Sequence, residues 1–146
     1  MKQYLFAGLT IVFLLTFVGC KTQKNMITFS GLEGEWNVVE VNGKTITTED
    51  YKQFFSFDVA EKRFSGNAGC NRMTGVLVHD AKQPDRISFS KTITTRMACP
   101  ALSSEQELLA TLEKVVRFES VPAKDSKMKI AFYDVDDTQL ILIQRK

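Results

Sequence analysis

Histidine is almost missing from this chain: His79 is the only one in 146 residues. A nucleophile with a histidine base in reach can therefore be built in one place at most. His79 stands beside Asp80 at a predicted strand end, where a surface role is expected, so a hydrolase has little to work with. One histidine and the two distant cysteines Cys70 and Cys99 also fall short of the usual zinc ligand sets, and no Cys-x-x-Cys redox motif occurs. No internal repeat or low-complexity tract is visible. Charge of one sign is lacking too: beyond Lys2 the chain carries 18 basic and 17 acidic residues. The basic clustering of a nucleic-acid footprint is absent. The expectation is a protein without catalytic residues, metal, cofactor or nucleic-acid partner.

Long apolar runs are lacking everywhere except at the front. Leu5 to Val18 is apolar apart from threonine and glycine, follows Lys2, and leads into Phe17, Val18, Gly19 and Cys20. That is the charge, apolar stretch and small-residue cleavage site of a secretory signal. The run is too short to span a bilayer comfortably, which takes about 20 residues. Gly19-Cys20 resembles the bacterial lipobox, which implies that residues 1–19 are removed and Cys20 is lipid-modified. Residues 20–30 then read as a tether, polar at first and expected to be a solvated linker, with weak attraction of Lys21 and Lys24 to anionic headgroups as the alternative. Lys21 after the cysteine resembles lipoproteins released to the outer membrane, facing either the periplasm or the outside. A membrane partner through the anchor is expected.

What remains, 31–146, is the size of one domain with one core, expected as a monomer. Short apolar-rich segments bounded by Gly, Asn, Asp and Pro predict antiparallel strands. They fall at Glu35–Val41, Phe54–Asp58, Lys62–Ser65, Thr74–His79, Arg86–Ser90, Thr92–Met97, Arg117–Val121, Lys127–Tyr133 and Gln139–Gln144. Asn42-Gly43 suits a type I′ hairpin. Asp134 to Asp137 reads as the turn between the last two strands; it lacks the glycine and distant glutamate of a calcium loop. Leu108, Leu109, Leu112, Val115 and Val116 are spaced for one helix face, with Ser104 and Glu107 as a capping box and Glu105 near the positive end of the dipole. The fold class is α+β: a curved, mostly antiparallel, barrel-like sheet with one helix packed across it.

The densest local signal runs from Phe64 to Gly75, with Gly66, Asn67, Gly69, Cys70, Asn71 and Gly75, and is followed by Thr95, Arg96, Met97, Ala98 and Cys99. Glycines that free the backbone and asparagines that close turns predict a tight corner. Arg72, Lys91 and Arg96 lie near it in sequence; binding an anion is one reading of them, and pairing with carbonyls and carboxylates is the commoner fate of such residues. Gly69-Cys70-Asn71 with Thr95 to Cys99, together with Leu32 to Trp36, Ile87 to Phe89 and the helix bearing Glu105 and Glu107, resembles the META domain (HslJ-like) family over about Leu32 to Gln144. The resemblance implies a sheet-plus-helix domain, often displayed on a lipoprotein, with links to stress and antibiotic tolerance and no established catalytic activity. A similar fold in pilot lipoproteins of secretion systems holds an acyl chain in a cracked barrel.

With Cys20 committed to lipid, Cys70 and Cys99 are an even pair in an oxidising compartment, read as a disulfide, with two buried thiols as the alternative. Phenylalanine is the compositional excess, at 11 residues. Ordinary packing is the first reading of it; lining an apolar cavity with Phe54, Phe57, Phe89 and Phe132 is the other. The expected function is therefore a non-enzymatic binding or scaffolding lipoprotein. Its partner is either an envelope protein met through a sheet edge or an apolar ligand held inside.

Overall fold

Successive side chains on a strand point to opposite faces, so parity decides which residues meet. In Phe54–Asp58, Phe55 and Phe57 are buried while Phe54 and Ser56 face outward. In Arg72–Val78, Met73, Gly75 and Leu77 are buried and Arg72, Thr74 and Val76 are not. These residues belong to a computed structural model that describes residues 27–47, 52–100, 102–122 and 126–146. The leader 1–19, Cys20 and most of the expected tether lie outside the described residues. Ile27 and Phe29, at the tether's end, pack against the core, and Phe29–Leu32 forms a short 3-10 helix.

Among the described residues nine strands follow in chain order: β1 Gly34–Val41, β2 Lys44–Thr45, β3 Phe54–Asp58, β4 Arg63–Asn67, β5 Arg72–Val78, β6 Ser88–Thr94, β7 Arg117–Val121, β8 Lys129–Tyr133 and β9 Gln139–Arg145. All pairings are antiparallel, in the order β6-β5-β4-β3-β1-β9-β8-β7, with β2 against β1 alone. The sheet curls until its ends touch: Ile87 N–H donates to Val116 O at 3.2 Å and Phe118 N–H to Asp85 O at 2.9 Å. Apolar side chains of the inner face fill the curl. Trp36, Phe55, Phe57, Phe64, Phe118 and Phe132 are the largest fully buried ones. Each such ring removed from water stabilises by roughly 1.5–3 kcal/mol.

The expected α+β class, with a curved antiparallel sheet and one helix, is the architecture observed. Asn42 and Gly43 form the β1–β2 turn with φ of 49° and 76°, as a type I′ hairpin needs. Two details differ from expectation. Arg86–Ser90 and Thr92–Met97, predicted as separate strands, are one strand: Lys91 takes φ of 51° at a register shift against β5, so the chain bulges and continues where a turn was expected. The helix, α1 (Leu102–Leu112), begins ahead of the predicted cap. Ser104 therefore stands inside its first turn, and Glu105 faces inward, only 3% exposed.

Helix α1 closes one end of the curl. Leu108 and Leu112 enter the core from it, and Thr111 accepts a hydrogen bond from Asn42 Nδ2 at 3.0 Å. Glu107 meets Lys44 at 3.1 Å. The other end holds the chain's entry: Trp36 Nε1–H donates to Leu32 O at 2.7 Å, and Phe29 stacks on His79 with ring centres 4.1 Å apart.

Candidate functional site

The corner between β4 and β5 satisfies only part of its polar groups locally. Asn67 Oδ1 accepts the Gly69 N–H at 2.8 Å, closing a turn in which Gly69 takes φ of 138°. That turn aims the next two N–H groups at the helix. Cys70 N–H and Asn71 N–H both donate to Glu105 Oε2, at 3.1 and 2.7 Å, and Asn71 Nδ2 donates to Glu105 Oε1 at 2.8 Å. Asn71, 2% exposed, then turns its Oδ1 toward the following segment, accepting from Thr95 Oγ1 at 2.8 Å and Met97 N–H at 2.7 Å. Thr95 Oγ1 in turn accepts from Arg72 N–H at 3.1 Å. Cys70 and Cys99 are disulfide-bonded, their Cα atoms 6.0 Å apart.

One side chain thus ties three segments together. The carboxylate of Glu105 fixes the glycine corner to α1, and Asn71 fixes it to Thr95–Met97. Buried polar groups left without partners cost about 1–3 kcal/mol each, so this network holds or fails as a unit. Gln53, 2% exposed, extends it: Nε2 donates to Ala68 O at 2.7 Å and Ser104 O at 3.3 Å, while Oε1 has no partner. Of the motif residues read from the sequence, Asn67, Gly69, Asn71, Thr95 and Met97 meet here. Gly66 and Gly75 belong to the adjoining ladders instead. A Cβ on Gly66 would lie 2.0 Å from Phe54 O, and one on Gly75 would lie 2.5 Å from the Phe64 ring that covers it.

The four phenylalanines expected to line one cavity do not share a surface, which corrects that expectation. Phe57, Phe89 and Phe132 lie inside, with ring centres 5.5–6.4 Å apart, interleaved with Phe55 and Phe64. Phe54 points the opposite way, because residues three apart on a strand face opposite sides. It borders an open trough of about 650 Å³ on the outer face, whose lining includes Ser56, Ser65, Asn67, Arg72 and Thr74.

A disulfide-clamped glycine corner, its asparagine held by a helix glutamate, within a closed antiparallel curl of this strand order is the geometry to compare with known proteins. The META domain family matches residues 28–145. The chain belongs to the META domain family. An NMR structure of a protein from Burkholderia xenovorans shares the fold of this META domain, with a TM-score of 0.58 at 18% identity, over 81% of this chain and 86% of that one. No curated protein matches the chain.

Elsewhere in the META domain, His79 is half-buried under Phe29, and its Nδ1 lies 2.8 Å from Arg86 O, with no nucleophile bonded to it among the described residues. Among the described residues no group of His, Cys, Asp and Glu is arranged to hold a metal ion. Asp134 closes its own turn by accepting from Asp136 N–H and Thr138 N–H at 3.0 and 2.9 Å. A polar cluster that the sequence did not disclose covers β7 and β8. Arg117 lies 3.9 Å over the Tyr133 ring and pairs with Glu119 at 2.9 Å and with Asp137. Burial works against its charge, but Asp137 and Glu119 outweigh this and hold the guanidinium above its ordinary value. Burial, reinforced by Glu119, pushes the Tyr133 phenol up. Every member faces another member, which suits a brace between strands. The signal was faint: an alternating Arg-x-Glu on one strand opposite a tyrosine on the next.

Proposed function

We propose that the protein is a lipid-anchored lipoprotein of the bacterial envelope whose META domain acts as a non-enzymatic binding module, pairing with another envelope protein along β6. The observation that carries the reading is the state of that strand. β6 ends the strand order, and beyond the short contact of residues 85–87 with β7 it carries an exposed edge that continues into Thr95–Ala98. Ile93 and Met97 stand 66% and 61% exposed along it. An unpaired edge with apolar side chains is a template for an added strand, main-chain hydrogen bonds supplying affinity and side-chain contacts specificity.

The leader supports the anchoring half of the proposal through Gly19-Cys20 and the apolar run before it. Lys21 after the cysteine supports outer-membrane placement, and a role in stress or antibiotic tolerance accords with the family. The rival picture of an acyl chain held inside draws no support from an interior where the phenylalanine rings touch one another.

The test has two separable parts. Mass spectrometry of protein extracted from host membranes is expected to show a chain that starts at Cys20 with diacylglycerol and fatty acyl mass; an intact leader removes the anchor. A photo-crosslinking residue at Thr92 is expected to give one reproducible protein adduct in growing cells, lost when Ile93→Lys disrupts the edge. Adducts that are absent, or unchanged by Ile93→Lys, remove the edge-pairing reading.

A further inference from the structure

The strand register explains the composition of the outer trough. Two cross-strand rows form its floor. One row is Ser56, Ser65 and Thr74, paired in register across β3, β4 and β5. The next is Phe54, Asn67 and Arg72, paired across the same three strands. Neighbouring strands lie ~4.8 Å apart, so the first row is a line of hydroxyls at that interval, and the second sets an aromatic ring, an amide and a guanidinium beside it. Small hydroxyl residues make the depression, and larger ones wall it.

Thr74 Oγ1 donates to Phe64 O at 3.0 Å and keeps only its acceptor capacity; other polar groups of the two rows are open for use. The side-chain hydroxyls of Ser56 and Ser65, the amide nitrogen of Asn67 and the guanidinium of Arg72 have no partner among the described residues. Glu35, at the trough's far end, is already neutralised by Lys146 at 2.6 Å, whose ammonium also lies 5.5 Å from the Phe54 ring centre. The uncompensated charge in the trough is therefore Arg72. An exposed guanidinium beside hydroxyls favours a ligand that brings a carboxylate, which it can meet with two parallel hydrogen bonds.

We infer that this trough is a binding site for a saccharide that carries a carboxylate. A peptide fits it less well for a geometric reason. The trough lies on the face of the sheet, where the backbone groups of β3, β4 and β5 are spent on one another, so a peptide backbone finds no main-chain partner. A sugar brings its own hydroxyls, each donor and acceptor, to match the serine and threonine row. The row's interval is close to the length of one pyranose unit. Phe54 offers an apolar ring for a sugar face, and Arg72 recognises the acid group. Ile93 and Thr94 of β6, with Thr95, form one side of the trough, so the site adjoins the β6 edge; it does not depend on lipid anchoring.

The experiment is calorimetric titration of the full chain, purified in detergent, with trigalacturonic acid, neutral maltotriose and the acidic peptide Glu-Glu-Glu. Trigalacturonic acid is expected to bind at least about tenfold more tightly than either comparator, the scale of one charge-assisted hydrogen bond. Arg72→Gln, at an exposed position, is expected to reduce it to the level of maltotriose with the unfolding midpoint unchanged. Phe54→Ala is expected to weaken both saccharides. The assignment is overturned if maltotriose or the peptide equals trigalacturonic acid, or if Arg72→Gln leaves its binding as it was.

Discussion

Two regions of this domain are held by opposite means. The inside of the curl is held by shape: Phe55, Phe57, Phe64, Phe89 and Phe132 touch one another, and no polar group is needed among them. The glycine corner is held by valence, through one carboxylate, one amide and one disulfide that join segments lying about 30 residues apart. Burial of rings tolerates exchange of one hydrophobe for another of like volume. A hydrogen-bond hub does not, because its buried donors and acceptors are matched to one another in place. The difference teaches why the corner has a recognisable local spelling and the core only a composition.

The comparison can be broken first on the apolar side. Phe57→Ala, 1% exposed, is expected to cost about 3–5 kcal/mol in urea unfolding, and a loss below ~1 kcal/mol would show that the rings are loosely packed. Next comes the covalent part of the corner: Cys70→Ser with Cys99→Ser is expected to cost about 3–4 kcal/mol on the chain-entropy account. Reductant should lower the melting temperature of the parent and leave the double variant where it is.

Glu105→Gln sharpens the comparison further. It places an NH₂ against N–H donors and is expected to cost about 1–3 kcal/mol. A double-mutant cycle with Asn71→Ala should return a coupling of roughly 0.5–3 kcal/mol, whereas additive effects would mean the hub is not one unit. The smallest effect lies on the helix surface. Asn42, and secondarily Lys44, hold the Glu107 carboxyl below its ordinary 4.5. A depressed acid stabilises the fold above its unfolded value and loses that contribution as pH falls through the folded one. Lys44→Ala should therefore cost only a few tenths of a kcal/mol at pH 7, and nothing at a pH low enough to protonate Glu107. Paired urea titrations at the two pH values check it.

Legibility followed the same division. The strands Phe54–Asp58 and Arg117–Val121, the Asn42-Gly43 hairpin and the Cys70–Cys99 pair could be read directly, since each is written in adjacent residues or in a count. Glu105 was read as a helix-dipole charge and proved to be the hub of the corner; one sequence shows that an acid sits in a first turn, not that two N–H groups 34 and 35 positions earlier point at it. Lys91 hid a bulge because only glycine and asparagine advertise positive φ. Phe54 was grouped with Phe57 on size alone, although strict alternation already put the two on opposite faces. The Ser56, Ser65 and Thr74 row was illegible for want of register, which is a property of pairing and not of any one strand.

Chain entry has a mechanical consequence. The segment from Ile27 is fastened by the Phe29–His79 stack and by Trp36 Nε1 on Leu32 O, then runs straight into β1, a strand flanked on both sides by β3 and β9. A pull on the front of the chain is therefore resisted by two ladders and a tryptophan rooted in the core, while the disulfide-bonded corner, at the far end of the curl, stays out of the line of force.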